Sequence, residues 1–122
     1  MPNVIEEAAD ALRAALATVE GVRHYPDVGP GVDPPATVLG VPSLEWGSMC
    51  QEPTSASWVV YLVVAADTAR AASTLYQLLP RVVAALDAVE DVVVVRADPG
   101  AYPASNGDLP AYQIQIDVAL GA

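Results

Sequence analysis

Lysine is absent from this chain. Its five basic residues are all arginine (Arg13, Arg23, Arg70, Arg81 and Arg96), and they are scattered, so no basic run exists. Nucleic-acid binding needs clustered cations that displace counterions from phosphates, and anionic membranes attract basic segments for the same reason. Fifteen acids stand against the five bases, a formal net charge of −10. Such an excess repels DNA and keeps a free subunit in solution.

Other scarcities exclude more. Cys50 is the only cysteine, so no disulfide forms within the chain, which suits a reducing cytoplasm. His24 is the only histidine. One His and one Cys do not make a zinc site, and no calcium-loop alternation of acids appears. The longest apolar runs, Trp58 to Ala66 and Val92 to Val95, fall short of the about 20 residues a membrane-spanning helix needs. The first residues lack a basic segment followed by a long apolar one, so no secretory signal is expected. Charged residues are 16% of the chain and hydrophobic residues 53%, the reverse of a disordered composition. The 122 residues suit one domain spanning 1–122, without linker, low-complexity segment or internal repeat. So much apolar surface on a small domain predicts packing against neighbouring subunits.

What is present reads as an α+β fold. Val4, Ala8, Leu12, Ala15, Leu16 and Val19 recur at helical spacing, Asn3 is placed to cap the first turn, and Gly21 is a stop signal. Residues 21–36 hold four prolines and read as a loop, followed by a short strand at 36–41 and an irregular stretch at 42–56 with extended pieces around 44–47. Residues 57–66 are β-branched and aromatic and read as a central strand, apolar on both faces. Asp67 or Thr68 then caps a helix whose stripe runs from Ala71 to Val89, with a kink or a break expected at Pro80. A strand at 91–97 completes a crossover with parallel strands. Residues 98–110, with the Asn106–Gly107 pair, should reverse the chain. Tyr112, Ile114, Ile116, Val118 and Leu120 alternate with polar or small residues, the pattern of a strand with one buried face. The expected architecture is one mixed, mostly antiparallel β-sheet with an N-terminal helix and a long kinked helix packed on one face.

The residue types that carry chemistry do not converge. Cys50 and His24 lie in loops with no strand-turn elbow or helix start beside them. Asp27, Asp33, Glu45 and Glu52 are loop acids in a chain rich in acids. Gly29-Pro30-Gly31 is interrupted by a residue with no N–H to offer a phosphate, and no lysine follows. No enzyme activity, cofactor or metal is expected. Trp58 and Tyr61 read as strand packing. Tyr25, Trp46 and Tyr102 read as either loop anchors or subunit contacts, because aromatics are enriched at interfaces. With Arg23 they are the candidate interface residues.

Several segments carry a resemblance. They are Val22-Arg23-His24-Tyr25-Pro26 after the first helix, Cys50-Gln51-Glu52-Pro53-Thr54-Ser55-Ala56-Ser57-Trp58, Pro99-Gly100-Ala101-Tyr102-Pro103, and Leu109-Pro110-Ala111-Tyr112-Gln113-Ile114. Together they resemble the tail terminator proteins of long-tailed phages of actinobacteria, and the lysine-free, Ala/Val/Asp/Arg-heavy composition fits a GC-rich genome. The resemblance implies a virion protein that forms a ring, hexameric by expectation. The ring caps the tail tube, ends its polymerisation and meets the head–neck connector, while DNA passes through its lumen without specific binding. The partners implied are further copies of the chain, the tail tube protein and the connector, with no membrane. The alternatives are another head–tail adaptor or stopper, or a small ferredoxin-like ligand-binding domain.

Overall fold

The computed structural model describes residues 3–26, 28–29, 31–47, 52–66, 69–105 and 107–120. Helix α1 spans Val4–Ala17, and the Asn3 side chain accepts the Glu6 N–H at 2.9 Å, as its capping position requires. Ala9, Leu12 and Leu16 form its buried side. The helix ends at Thr18, and Gly21 follows at φ +77°, a left-handed conformation that costs glycine little. The chain then enters β1, Arg23–Tyr25, a strand inside the stretch expected to be loop.

Strands β2 (Ala36–Leu39), β3 (Ser43–Glu45) and β4 (Ser55–Val63) come next. Helix α2 spans Ala71–Asp87 and continues through Pro80 as one element rather than two short helices. The expected caps, residues 67 and 68, lie outside the described residues. Arg70 stands before the first turn and makes no side-chain capping bond. The final pair is β5 (Val92–Ala104) and β6 (Gly107–Ala119). The expected reversal at 98–110 is therefore mostly strand, paired out to Ala104 and Gly107; residue 106 of the expected turn pair lies outside the described residues.

The six strands form one mixed sheet in the order β1-β2-β4-β6-β5, with β3 beside β4 below β2. Only β1 and β2 pair in parallel. Strands β4 and β5 run the same way, as the crossover reading expects, but they are not neighbours. β6 lies between them, antiparallel to both. The alternation in β6 explains the insertion: a strand whose even residues Ile114, Ile116 and Val118 are buried, with an antiparallel partner on each side, belongs at the sheet centre.

Sheet parity separates two apolar clusters. Ala56, Trp58, Val60 and Leu62 of β4 join Ile114, Ile116 and Val118 of β6 and the stripes of both helices in the main core. Val63, Val38, Ala111 and Tyr102 point to the other side and form a smaller cluster with Tyr25, Val32, Tyr61 and Leu109.

One local repeat emerges. Residues 14–22, Ala-Ala-Leu-Ala-Thr-Val-Glu-Gly-Val, match 84–92, Ala-Ala-Leu-Asp-Ala-Val-Glu-Asp-Val. Both pass from helix through a turn into an edge strand, and Asp91 adopts φ +65° where the first copy has Gly21. The expectation of no repeat holds for longer periods only.

Candidate functional site: two sheet edges and a pinned loop

On the small-cluster side, the loop after β1 is held down by two tyrosines. The Tyr102 hydroxyl accepts the Gly29 N–H at 3.0 Å and donates to the Gly29 carbonyl at 2.5 Å. Tyr102 is 1% exposed, and its ring meets Tyr61 edge to face with centroids 5.4 Å apart. It is thus a loop anchor within the chain and offers no surface to a partner. Tyr25 is half-buried, and its hydroxyl accepts the Asp33 N–H at 3.1 Å. Arg23 faces the Asp33 carboxylate at 2.7 Å across an exposed pair. Tyr25 and Arg23 therefore lie together at β1, the edge of the sheet. Trp46 follows β3 at 55% exposure, apart from both. Tyr25, Arg23 and Trp46 keep surface available; Tyr102 does not.

On the helix side, His24 tucks beside α1. Its Nδ1 lies 3.1 Å from the Thr37 hydroxyl, while Nε2 is buried without a partner. Burial and the nearby Arg13 cation hold its pKa below the usual value, so the ring is neutral near pH 7. Farther along α1, a groove of about 390 Å³ is bordered by Ile5, Ala9, Val28, Leu39, Val41 and Trp58. Val28 and Val41 on its rim are 58% and 91% exposed.

Residues 27, 30 and 50 lie outside the described residues. Among the described residues, no three His, Cys, Asp or Glu side chains gather in a metal-holding group. Among them, too, no helix is long and apolar enough to cross a membrane.

The sheet edges are the other distinctive feature. In an antiparallel ladder, alternate residues exchange hydrogen bonds with the neighbour and the rest turn their backbone groups away. The Ala119 N–H donates to the Asp91 carbonyl, so Val93 also faces β6 while Val92 and Val94 face outward. A bulge at Val95 shifts the register. Beyond it, Val64 N–H donates to Pro110, which sets the even residues of β6 toward β4 and the odd ones toward β5. Arg96, Asp98, Gly100 and Tyr102 then face β6, and Ala97, Pro99, Ala101 and Pro103 face the open side. The two prolines thus remove donors from the free edge, where a missing N–H costs the fold nothing. The alternation of prolines with alanines was the sequence signal for an edge strand in a stretch read as a turn.

In comparison with known proteins, no family model matches the chain, and no curated protein matches it. The fold and its open edges define a class only: a small α+β protein with one open mixed sheet.

Proposed function

We propose that this chain is a structural assembly subunit, and specifically a tail-terminator-like protein that forms a ring on the end of a phage tail tube. The observation that carries the assembly reading is an open sheet whose first and last strands each leave one side unpaired. Open edges are normally blunted or covered in a free-standing protein, and here Pro99 and Pro103 blunt only the far part of β5. Exposed Val28, Val41, Val93 and Val95 add apolar surface of the kind that oligomer contacts use. The segments around Tyr25, Trp58, Tyr102 and Tyr112 that resemble tail terminators narrow the class to a ring between tail tube and head–neck connector, in the virion. Closed rings use heterologous contacts, in which one patch meets a different patch on the neighbour. Six copies at −10 carry on the order of sixty formal negative charges, a field that lets DNA pass a lumen without adhering. In the same reading Pro80 kinks α2, since it leaves the Tyr76 carbonyl without its helical donor, and both helices cover one face of the sheet.

The test is electron microscopy of the purified protein, alone and mixed with tail tubes. Rings seated on tube ends are expected. A monomer that ignores tubes removes the reading. Binding to the portal side instead of the tube favours an adaptor or stopper.

One observation favours a second reading. The groove beside Trp58 and the β4-α2-β5 unit with β6 inserted suit a small ferredoxin-like ligand-binding domain. That reading expects a monomer or dimer whose Trp58 fluorescence changes when an apolar probe fills the groove.

A further inference from the structure

We propose that the copies join edge to edge, with residues Val92–Val95 of β5 in one subunit pairing antiparallel with β1 of the next, so that a single sheet runs from subunit to subunit. The inference rests on the ring reading and says which surfaces close the ring.

Strand direction comes first. β4 and β5 run one way, and β1, β2 and β6 run the other. Copies set side by side with the same face outward therefore bring β5 against an oppositely directed β1. The contact is heterologous, with different edges meeting, as ring closure requires.

The second argument is selective blocking. The far half of β5 offers an outward N–H only at Ala97 and Ala101, because Pro99 and Pro103 occupy the alternate positions. In the near half the Val89 carbonyl takes the Val92 N–H at 3.4 Å, so Val94 is the outward donor there, flanked by Val93 and Val95, 61% and 48% exposed. Edges that stay single are blunted by lysine, proline, bulges, short strands or a covering segment. Here the prolines protect the far half, and the near half carries none before the bulge at Val95. The unprotected half is about as long as β1, whose ends Arg23 and Tyr25 face β2 while His24 turns its backbone groups outward.

Charge enters at one contact of the same match. Three of the five arginines gather around β1: Arg23 within it, Arg13 near His24, and Arg81, whose Nη2 donates to the Glu20 carbonyl at 2.6 Å. Asp87, Glu90 and Asp91 precede β5, and Asp117 sits opposite Val93. The carboxylates already near Arg13 and Arg23 form exposed pairs that exchange at small cost. With His24 opposite Val94, Arg23 is diagonal to Val93 and the acid nearest it is Asp117, whereas Asp87, Glu90 and Asp91 lie toward the Tyr25 end of β1.

The register follows. Placing His24 opposite Val94 lets each accept the other's N–H and sets Tyr25 against Val93, both on the side away from the main core. Across the sheet, His24 is level with Thr37, Leu62, Tyr112 and Pro99. A junction at Val94 therefore staggers successive copies by four residues of β6, about 14 Å. Stagger of this kind is what a sheet needs to curve and close.

The test uses the full chain in sedimentation velocity over a concentration series, with and without tail tubes. Val94→Pro removes one outward donor, as Pro99 does natively. Val93→Lys adds a cation beside Asp117 in the monomer and, in the junction, opposite Tyr25 and diagonal to Arg23. The wild type is expected as rings, and both variants as folded monomers with a wild-type circular dichroism spectrum. If Val94→Pro unfolds, Val93→Lys decides. A Tyr25→Cys/Val93→Cys pair in a Cys50→Ser background should give a ladder of disulfide-linked copies on oxidation. Rings that survive both variants, with no ladder, overturn the edge junction but leave the ring reading standing. A wild type that stays monomeric even with tubes overturns both.

Discussion

The two faces of the sheet are stabilised in different ways. On one, two helices cover β4 and β6, and the side chains that meet are aliphatic apart from Trp58 and Tyr112. On the other, a proline-rich loop covers only the upper strands and is held by tyrosine hydroxyls at Gly29 and Asp33. The other ends of β4 and β6 carry Ser57, Gln115 and Asp117 on that face, with Ser57 donating to Asp117 at 2.7 Å. The first face depends on burial, which is non-directional and sums over many contacts. The second depends on a few directed bonds, so it can be loosened one atom at a time.

Four perturbations separate the faces. The largest effect is expected from Leu86→Ala or Trp58→Ala on the helix side, both almost fully buried; each should lower stability by about 3–5 kcal/mol in chemical denaturation. Recovery of wild-type stability in either variant would mean the helices pack loosely. Tyr102→Phe keeps the ring and removes the hydroxyl, so about 1–2 kcal/mol should be lost, with faster hydrogen exchange confined to the Gly29 amide and its loop. Exchange that quickens throughout β4 and β6 instead would show the two faces to be one cooperative unit.

A third perturbation is acid. The folded pKa of His24 lies below its unfolded value of 6.5, because burial and Arg13 disfavour the charged ring, while the bond to Thr37 opposes them. The unfolded chain therefore binds more protons between those two pKa values, and stability falls as pH drops from about 6.5 into that window. Once the pH is below the folded pKa the loss stops growing. His24→Gln should flatten this part of the stability–pH profile; an unchanged slope would assign it to carboxylates instead.

The smallest effects concern the repeated turn. Gly21→Ala should cost about 1 kcal/mol, since nothing crowds a Cβ there and only the positive φ opposes it. Asp91→Gly should stabilise by up to about 1 kcal/mol for the same reason. If the two changes shift the thermal midpoint in the same direction, the turns are not equivalent despite their shared sequence.

Legibility followed pattern strength. The α1 stripe, its Asn3 cap and the alternation of β6 were readable because each element repeats its own period over three turns or four pairs of residues. β1 and β3 were not, since three residues carry no period; Arg23–Tyr25 is a strand only because β2 offers it an edge. Residues 98–104 read as a turn because proline and glycine usually punctuate chains. In place, Pro99 and Pro103 fall on the open side of an edge strand, where proline is tolerated. Of the candidate interface residues, Arg23 and Tyr25 were brought together at one edge, Trp46 was left elsewhere, and Tyr102 was withdrawn into the chain.

The sequence by itself determined the composition-level facts and the local elements: an acidic, lysine-free chain with two amphipathic helices and at least one half-buried strand. These follow from residue type and nearest-neighbour spacing. Tertiary structure alone decided that β6 separates β4 from β5, that the loop after β1 is fastened by a residue 73 positions away, and that the prolines of β5 fall on its open side. Each of these depends on which strand lies beside which. That is set by long-range pairing and burial, and no local window contains it.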